Sequence, residues 1–324
     1  MPQIGPGELL MRVEASGICG SDLLEWYRRD RAPLVLGHEV AGEIVAVGEG
    51  VGRYRVGDRI SAAHHVPCNT CHYCLKGHHT VCETLRKTNF DPGGLAEYAR
   101  LPSINVDRGV FPLPDEISFE QATFIEPLAC VVRGQRLAGI EPGCSVLVIG
   151  SGIAGLLHTQ LARALGATCI VATDIVEYRL GAARHFGADA AIHAQEDVLA
   201  FLRQVNNNRL ADLVIVCTGA AAAMTQALRC VERGGTVLFF APTDQGVTIP
   251  MSVNDLFFRN EITLTSSYAG SPADYATALQ LIHTGRIHVE EMITHRLGLA
   301  QTCLGFQLVA QAQNSIKVII EPQR

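Results

Sequence analysis

The sequence has 324 residues, enough for two domains of ordinary size. Hydrophobic residues make up 48% and charged residues 18% of the chain, which excludes a disordered protein. The formal net charge is -6, and the densest basic run, at Arg28, Arg29 and Arg31, is interrupted by Asp30, so we expect no nucleic-acid partner. No stretch approaches the roughly 20 apolar residues of a membrane span, and the N-terminus is unlike a signal peptide. We therefore expect a cytoplasmic protein without a membrane partner.

Short apolar runs broken by Gly and Pro fill the segment from Leu9 to Pro114, as in LLMRV, EIVAV, DRISAA and AEYARL. This pattern predicts an irregular, mainly antiparallel β domain.

A four-cysteine lobe lies inside this segment, in CNTCHYCLKGHHTVC. One loop brings Cys68, Cys71, Cys74 and Cys82 close enough to bind a single tetrahedral metal ion. An iron–sulfur cluster and four unrelated thiols are the alternatives, but soft thiolates favour zinc. A closed four-thiolate site leaves no position for a substrate, so this zinc is predicted to be structural.

Further candidate metal ligands lie outside the lobe: Cys19 in GICGSD, His38 and Glu39 in GHE, and Glu126 in IEPLA. An open zinc site needs about three protein ligands and a free position for water or substrate. Taken singly, each residue has an ordinary explanation as a core cysteine, a hydrogen-bonded histidine or an acid at a helix start.

From Cys144 onward, strand-like runs alternate with helical ones, from SVLVI at residue 145 to TVLFF at residue 236. This alternation predicts βαβ units on a parallel sheet. A helix is predicted around Asp274 to Thr284, and KVII near the C-terminus is predicted to be a strand that rejoins the first domain. The expected division is 1–127 for the first domain, 128–267 for the second and 268–324 for the return.

A glycine-rich loop follows SVLVI and opens a helix, as the dinucleotide fingerprint requires. The pyrophosphate would lie against the helix N-terminus. Asp174 ends the next strand, where it would accept both ribose hydrogen bonds and repel a 2′-phosphate, which predicts NAD as the coenzyme. The coenzyme-binding residues predicted in the loop are Gly150, Gly152, Ile153, Ala154 and Gly155.

Together these motifs resemble the zinc-dependent medium-chain alcohol dehydrogenases. GHEVAGEIVAVGEGV, VGDRI, the cysteine lobe and the glycine fingerprint occur in the order typical of that family, and the resemblance runs from Ile4 to the C-terminus. It implies an α/β protein with a GroES-like β-rich catalytic domain and a doubly wound Rossmann coenzyme domain.

The resemblance also implies roles for the candidate residues. Cys19 and His38 are implied ligands of a catalytic zinc, and Glu126 stands where the classical alcohol dehydrogenases have a cysteine, as in the sorbitol and threonine dehydrogenase branch. Either Glu39 or Glu126 is then the third ligand. Ser21 is implied to take the hydroxyl proton while hydride passes to NAD. Such enzymes are homo-oligomers, commonly tetramers, with dimers as the other expectation.

The resemblance also implies coenzyme-binding roles for three further residues. Arg179 is implied to flank the ribose, although a solvated helix charge explains it equally. Thr218 and Gly219 are implied to border the adenine, although a plain strand-to-helix turn fits them too.

The sequence departs from the family in three places. The usual opening β-hairpin is absent from it, Leu24 stands where a relay histidine is common, and Ala269 stands where sorbitol dehydrogenases carry an arginine. We expect a small polar alcohol as substrate, with a polyol or cyclitol leading and a threonine-type amino alcohol as the alternative. A catalytically weak NAD-binding regulatory protein is a third reading, which the retained metal ligands disfavour.

Overall fold

The computed structural model describes residues 1–29 and 32–324. Arg31 of the densest basic run and Asp30, which interrupts that run, lie outside the described residues. The chain forms two compact units. The first unit contains residues 1–129, 269–285 and 289–324, and the second contains residues 130–268 and 286–288.

The strands occur mostly in two stretches of the chain, one before residue 113 and one between residues 145 and 266. In chain order they are β1 (Leu9–Gly17), β2 (Glu39–Val47), β3 (Arg59–Ala62), β4 (Tyr98–Leu101), β5 (Val110–Pro112), β6 (Ser145–Ile149), β7 (Cys169–Asp174), β8 (Ala190–His193), β9 (Ala211–Val216), β10 (Val231–Phe239), β11 (Thr263–Ser266), β12 (Ile293–Gly298) and β13 (Lys317–Glu321).

The longer helices follow residue 125, and the earlier ones are a turn or two in length. In chain order they are α1 (Glu25–Arg28), α2 (His72–Leu75), α3 (Glu83–Lys87), α4 (Ser103–Arg108), α5 (Phe119–Ala122), α6 (Ile125–Leu137), α7 (Ile153–Ala164), α8 (Glu177–His185), α9 (Val198–Val205), α10 (Ala221–Cys230), α11 (Val253–Leu256), α12 (Pro272–His283) and α13 (Thr302–Gln311). Across the described part of the chain, no helix has both the length and the apolar character needed to cross a bilayer.

The first unit is built on a seven-stranded sheet in the order β12-β13-β1-β2-β3-β5, with β4 also paired to β1. All pairs are antiparallel except β12 with β13. Alternate residues of β1, among them Leu9, Met11 and Val13, are fully buried in the core of this unit. Successive side chains of a strand point to opposite faces, so a strand with one face on the core buries alternate residues. The C-terminal strand β13 pairs with β1, so the tail of the chain completes the first sheet.

The second unit is a six-stranded parallel sheet in the order β11-β10-β9-β6-β7-β8. The chain runs outward from β6 to β8, returns to the centre at β9 and runs outward again, which is the doubly wound arrangement. All five residues of β6 are buried, as expected of a central strand with helices on both faces. The predicted fold class, a β-rich GroES-like unit with a Rossmann unit, is thus confirmed.

Candidate active site and metal centres

The cysteine lobe folds into a compact group of four thiols. The Sγ–Sγ distances are 4.0 Å from Cys68 to Cys74, 3.6 Å from Cys71 to Cys74 and 3.6 Å from Cys82 to Cys68. A tetrahedral ion with Zn–S bonds of about 2.3 Å requires Sγ–Sγ distances of ~3.8 Å. The spacing of the group therefore fits zinc. The secondary structure around it is limited to the short helices α2 and α3.

The thiols of this lobe differ in their pKa values. Hydrogen bonds from Thr70 lower the pKa of the Cys68 thiol to about 5, whereas burial raises the pKa of Cys74 to about 12. A divalent cation would remove this difference, since it binds thiolates and displaces their protons. All eleven cysteines of the chain are free thiols, so no disulfide competes for the group among the described residues.

A second group of ligand atoms assembles at one end of β2. The Sγ of Cys19, an imidazole nitrogen of His38 and a carboxylate oxygen of Glu39 all lie within 4.8 Å of one another. Cys19 follows the end of β1, and the pairing of Gly17 with Glu39 in the sheet brings the two chain segments together. A side chain at Gly17 would overlap the carboxylate of Glu39, so the close approach requires glycine there.

His38 is held from behind by a carboxylate that the sequence reasoning missed. Its Nδ1 lies 3.5 Å from Asp22 Oδ1, and the Asp22 side chain is fully buried. Burial alone would lower the pKa of His38, but Cys19 and Asp22 raise it well above its usual value. The position of His38 between Cys19 and Asp22 thus favours a positive charge, which a metal cation would also supply. A carboxylate behind a ligating histidine is also a common way to fix the imidazole ring. The sequence feature that could have indicated this contact is the aspartate of GICGSD, which is Asp22.

Glu39 has a second partner that was also missed. The Nζ of Lys317, at the start of β13, is hydrogen-bonded to Glu39 Oε2, and both side chains are 1% exposed. Lys317 also lies 5.6 Å from the ring centroid of Phe124. Glu39 is therefore hydrogen-bonded to the lysine through Oε2 and also offers a carboxylate oxygen to the group with Cys19 and His38. A single lysine opening the buried strand KVII was the signal for this contact.

Glu126 occupies the first turn of α6 and is 7% exposed. Its carboxylate is not part of either candidate metal group found among the described residues. Of the two glutamates predicted as alternative third ligands, Glu39 is therefore the one that stands with Cys19 and His38.

Ser21 lies in the 3-10 turn Gly20–Leu23 directly after Cys19. Its hydroxyl lies 3.3 Å from Cys19 Sγ, and its backbone N–H lies 3.5 Å from the same sulfur. The structure therefore places the predicted proton acceptor beside a predicted metal ligand.

The glycine-rich loop sits at the carboxyl end of β6 in the second unit. Gly150 has a φ of +96°, and a side chain at Gly155 would overlap the carbonyl oxygen of Gly150. Gly152 is the N-cap of α7 and offers no side chain to cap the helix. The first N–H groups of α7, beginning with Ile153 and Ala154, are therefore left for an anion such as a pyrophosphate.

Asp174 ends β7 and is 7% exposed. Its Oδ2 accepts a hydrogen bond from the N–H of Ser151 at 2.7 Å, and its Oδ1 accepts from the N–H groups of Ile175 at 2.8 Å and Val176 at 3.0 Å. An ionised carboxylate has about four acceptor positions, so about one remains for a ribose hydroxyl, fewer than the two ribose hydrogen bonds expected from the sequence. Asp174 therefore also holds the glycine-rich loop in place.

The remaining predicted coenzyme residues lie around the same loop. A side chain at Gly152 would lie 3.6 Å from the guanidinium of Arg179. A Cβ atom at Gly150 would lie 3.4 Å from Thr218 Cβ. Gly219 packs against the carbonyl of Pro242, where a Cβ would come within 2.6 Å of the oxygen. The predicted coenzyme residues are thus gathered at the carboxyl ends of β6, β7 and β9.

A β-rich unit with an open Cys–His–Glu group, together with a dinucleotide-type loop in a doubly wound unit, defines the class of zinc- and nucleotide-dependent dehydrogenases. Residues 5–115 match the family of alcohol dehydrogenase GroES-like domains, and residues 154–284 match the family of zinc-binding dehydrogenases.

Full-length relatives agree with these matches. Sorbitol dehydrogenase of Bacillus subtilis is 31% identical, over 100% of this chain and 93% of its own length. L-threonine 3-dehydrogenase of Bacillus licheniformis is 33% identical, over 99% of this chain and 93% of its own. A zinc-binding dehydrogenase structure from Sinorhizobium meliloti, bound to NADP, superposes with a TM-score of 0.88 at 31% identity, covering 99% and 94% of the two chains.

The chain therefore belongs to the zinc-dependent medium-chain alcohol dehydrogenase family. It is an alcohol or polyol dehydrogenase that uses zinc and a nicotinamide coenzyme, as predicted.

Replacing Cys71 by serine should remove about one zinc ion per chain, because the closed site needs all four thiolates. Zinc content measured by metal analysis checks this, with exposed Cys303→Ser as the matched control. Unchanged zinc in Cys71→Ser would exclude a structural zinc in the lobe.

Replacing Lys317 by methionine should lower the free energy of unfolding by about 3–5 kcal/mol, because Glu39 would be left buried without its cation. Zinc should restore part of this loss by supplying a positive charge to Glu39. Denaturant unfolding followed by the fluorescence of Trp26, with and without zinc, measures both effects. Arg296→Met, which removes a partly exposed ion pair with Glu120, is the control and should cost about 1 kcal/mol or less. Equal losses in the two variants would show that the buried pair has no special importance.

Proposed function

We propose that this enzyme oxidises a secondary hydroxyl of a small polyhydroxylated substrate, a polyol or cyclitol, to a ketone with NAD as hydride acceptor. The carboxylate beside Cys19 and His38 carries this proposal. A carboxylate makes the ligand set harder than a second thiolate would, and it adds an acceptor for a neighbouring hydroxyl group. A substrate with adjacent hydroxyls uses both features.

The residues of the site have separate tasks in this proposal. Cys19, His38 and one oxygen of Glu39 would hold the catalytic zinc, with Glu126 in reserve as an alternative carboxylate. Asp22 fixes the ring of His38, and Lys317 fixes the carboxylate of Glu39. Ser21 Oγ takes the proton of the substrate hydroxyl. When bound, zinc supplies Lewis-acid chemistry that lowers the pKa of the hydroxyl, and the nicotinamide accepts the hydride.

In the second unit, the amides at the start of α7 would bind the pyrophosphate, and Asp174 would bind the adenosine ribose. Asp174 supports NAD over NADP because a 2′-phosphate would meet a buried carboxylate that is already fixed by three amides. Arg179 stands close to the same loop and is the group through which NADP could be tolerated. The Sinorhizobium relative was solved with NADP. The two coenzymes must therefore be compared directly.

A threonine-type amino alcohol is the second candidate substrate. It is supported by the 33% identity to L-threonine 3-dehydrogenase, and the same metal and coenzyme groups would serve it. We further expect a homo-oligomer, a dimer or tetramer, that works in the reducing cytoplasm, where the thiols of the cysteine lobe stay reduced.

The substrate proposal is tested by a panel of polyols, cyclitols, amino alcohols and the monohydric control 2-propanol, followed by NADH absorbance. A polyol or cyclitol should exceed 2-propanol in kcat/KM by at least about tenfold, the effect of one hydrogen bond to a charged group. Cys19→Ala should abolish the signal. A faster reaction with amino alcohols would favour the second candidate, and activity confined to 2-propanol would contradict both.

Replacing Asp174 by alanine should raise the KM for NAD by roughly 10- to 100-fold, since a charge-assisted hydrogen bond of about 1.5–3 kcal/mol is lost. The preference for NAD over NADP should narrow at the same time. Steady-state kinetics with both coenzymes measure this, and exposed Glu177→Ala on the following helix is the control. A wild-type enzyme that already prefers NADP would contradict the assignment of Asp174.

A further inference from the structure

Arg28 ends the short helix α1, in the segment between Cys19 and His38. Its side chain is 17% exposed. The neighbouring Arg29 has a side chain that is 70% exposed and pairs with Glu25 at 2.5 Å on the surface. Of these two adjacent arginines, one therefore points inward and the other is an ordinary surface residue.

The guanidinium of Arg28 reaches two residues of the catalytic segment with one nitrogen. Its Nη2 lies 2.5 Å from Asp22 Oδ1 and 3.3 Å from Ser21 Oγ. The group also stacks over the ring of Tyr27 at 4.7 Å, which limits its freedom. Arg28 thus joins the carboxylate behind His38 to the hydroxyl beside Cys19.

These contacts determine the direction of the Ser21 hydroxyl. A guanidinium has only donors, so Ser21 Oγ must accept the hydrogen bond from Arg28. The hydroxyl hydrogen is then free to point to Cys19 Sγ at 3.3 Å. A hydroxyl oxygen has two acceptor positions, and Arg28 fills one of them. One acceptor position remains for the hydroxyl of a substrate.

We propose that Arg28 is a positioning residue for this reaction, which holds Ser21 Oγ with a single open acceptor position for the substrate hydroxyl. The inference rests on the role of Ser21 proposed above. It goes beyond that role because it assigns the orientation of Ser21 to a residue outside the metal ligands and coenzyme contacts.

Arg28 also restricts the path of the proton. Oxidation of the alcohol transfers a hydride to the coenzyme and releases one proton, which Ser21 accepts as it gives up its own proton. A guanidinium stays protonated and cannot accept that proton. Leu24 has no acceptor in its side chain, and Glu25 is paired with Arg29 on the surface. The proton that Ser21 gives up is therefore not taken up by Arg28, Leu24 or Glu25.

A double-mutant cycle tests the proposal. Arg28→Met should lower kcat by about tenfold or more, within the range of a proton-transfer group, while the KM for NAD and the zinc content stay unchanged. In the Ser21→Ala background the same substitution should change kcat by less than about twofold, since a residue that acts through Ser21 is not additive with it. Added guanidinium, at a concentration below that which unfolds the chain, should restore part of kcat in Arg28→Met but not in the double variant.

Arg29→Met is the matched control and should leave kcat unchanged. The fluorescence of Trp26, the only tryptophan of the chain and two residues from Arg28, reports whether α1 stays folded in each variant. The cycle is run with the alcohol that the wild type oxidises fastest, so failure of the polyol assignment leaves the test intact. Equal fold-losses in both backgrounds, or loss of zinc from Arg28→Met, would overturn the proposal; the second result would place the effect on Asp22 and His38 instead.

Discussion

The buried ion pair between Glu39 and Lys317 connects the sheet of the first unit to the candidate metal group of Cys19, His38 and Glu39. Both side chains are 1% exposed, one at the start of β2 and the other at the start of β13, on either side of Gly17 in β1. Burying a charge is costly unless it is paired, so replacing either residue alone would leave the other charge buried and unpaired. The C-terminal strand is thereby required for a site whose remaining ligands all lie in the first 40 residues. A metal at the site would share Glu39 with the lysine, and this limits how far the carboxylate can move.

Asp22 has a comparable position on the other side of the site. Its carboxylate faces His38 and Arg28, which lower its pKa although its burial would raise it. The same acid thus contacts a candidate metal ligand and anchors the arginine that contacts Ser21. Two of the tasks expected of the site, holding the metal and guiding the proton, share one buried anion.

The coenzyme unit uses a carboxylate in a similar double way. Asp174 accepts hydrogen bonds from Ser151 in the glycine-rich loop and from the two residues that follow β7. A substitution there would affect both the proposed ribose contact and the support of the loop. The loop itself is shaped by steric limits, since Gly150 has a positive φ and Gly155 has no room for a side chain.

Sequence alone predicted the fold class, because the short apolar runs broken by Gly and Pro before Pro114 and the strand–helix alternation after Cys144 reflect local burial. It also determined the cysteine lobe and the glycine loop, whose residues are close in the chain and whose spacing carries the chemistry. Only the tertiary structure shows that Glu39, and not Glu126, falls in the candidate metal group with Cys19 and His38. It alone revealed Lys317 and Arg28, because a charged side chain becomes informative only when its burial and its partners are known. Lys317 lies 278 positions from Glu39 along the chain, and strand pairing, not local sequence, brings them together.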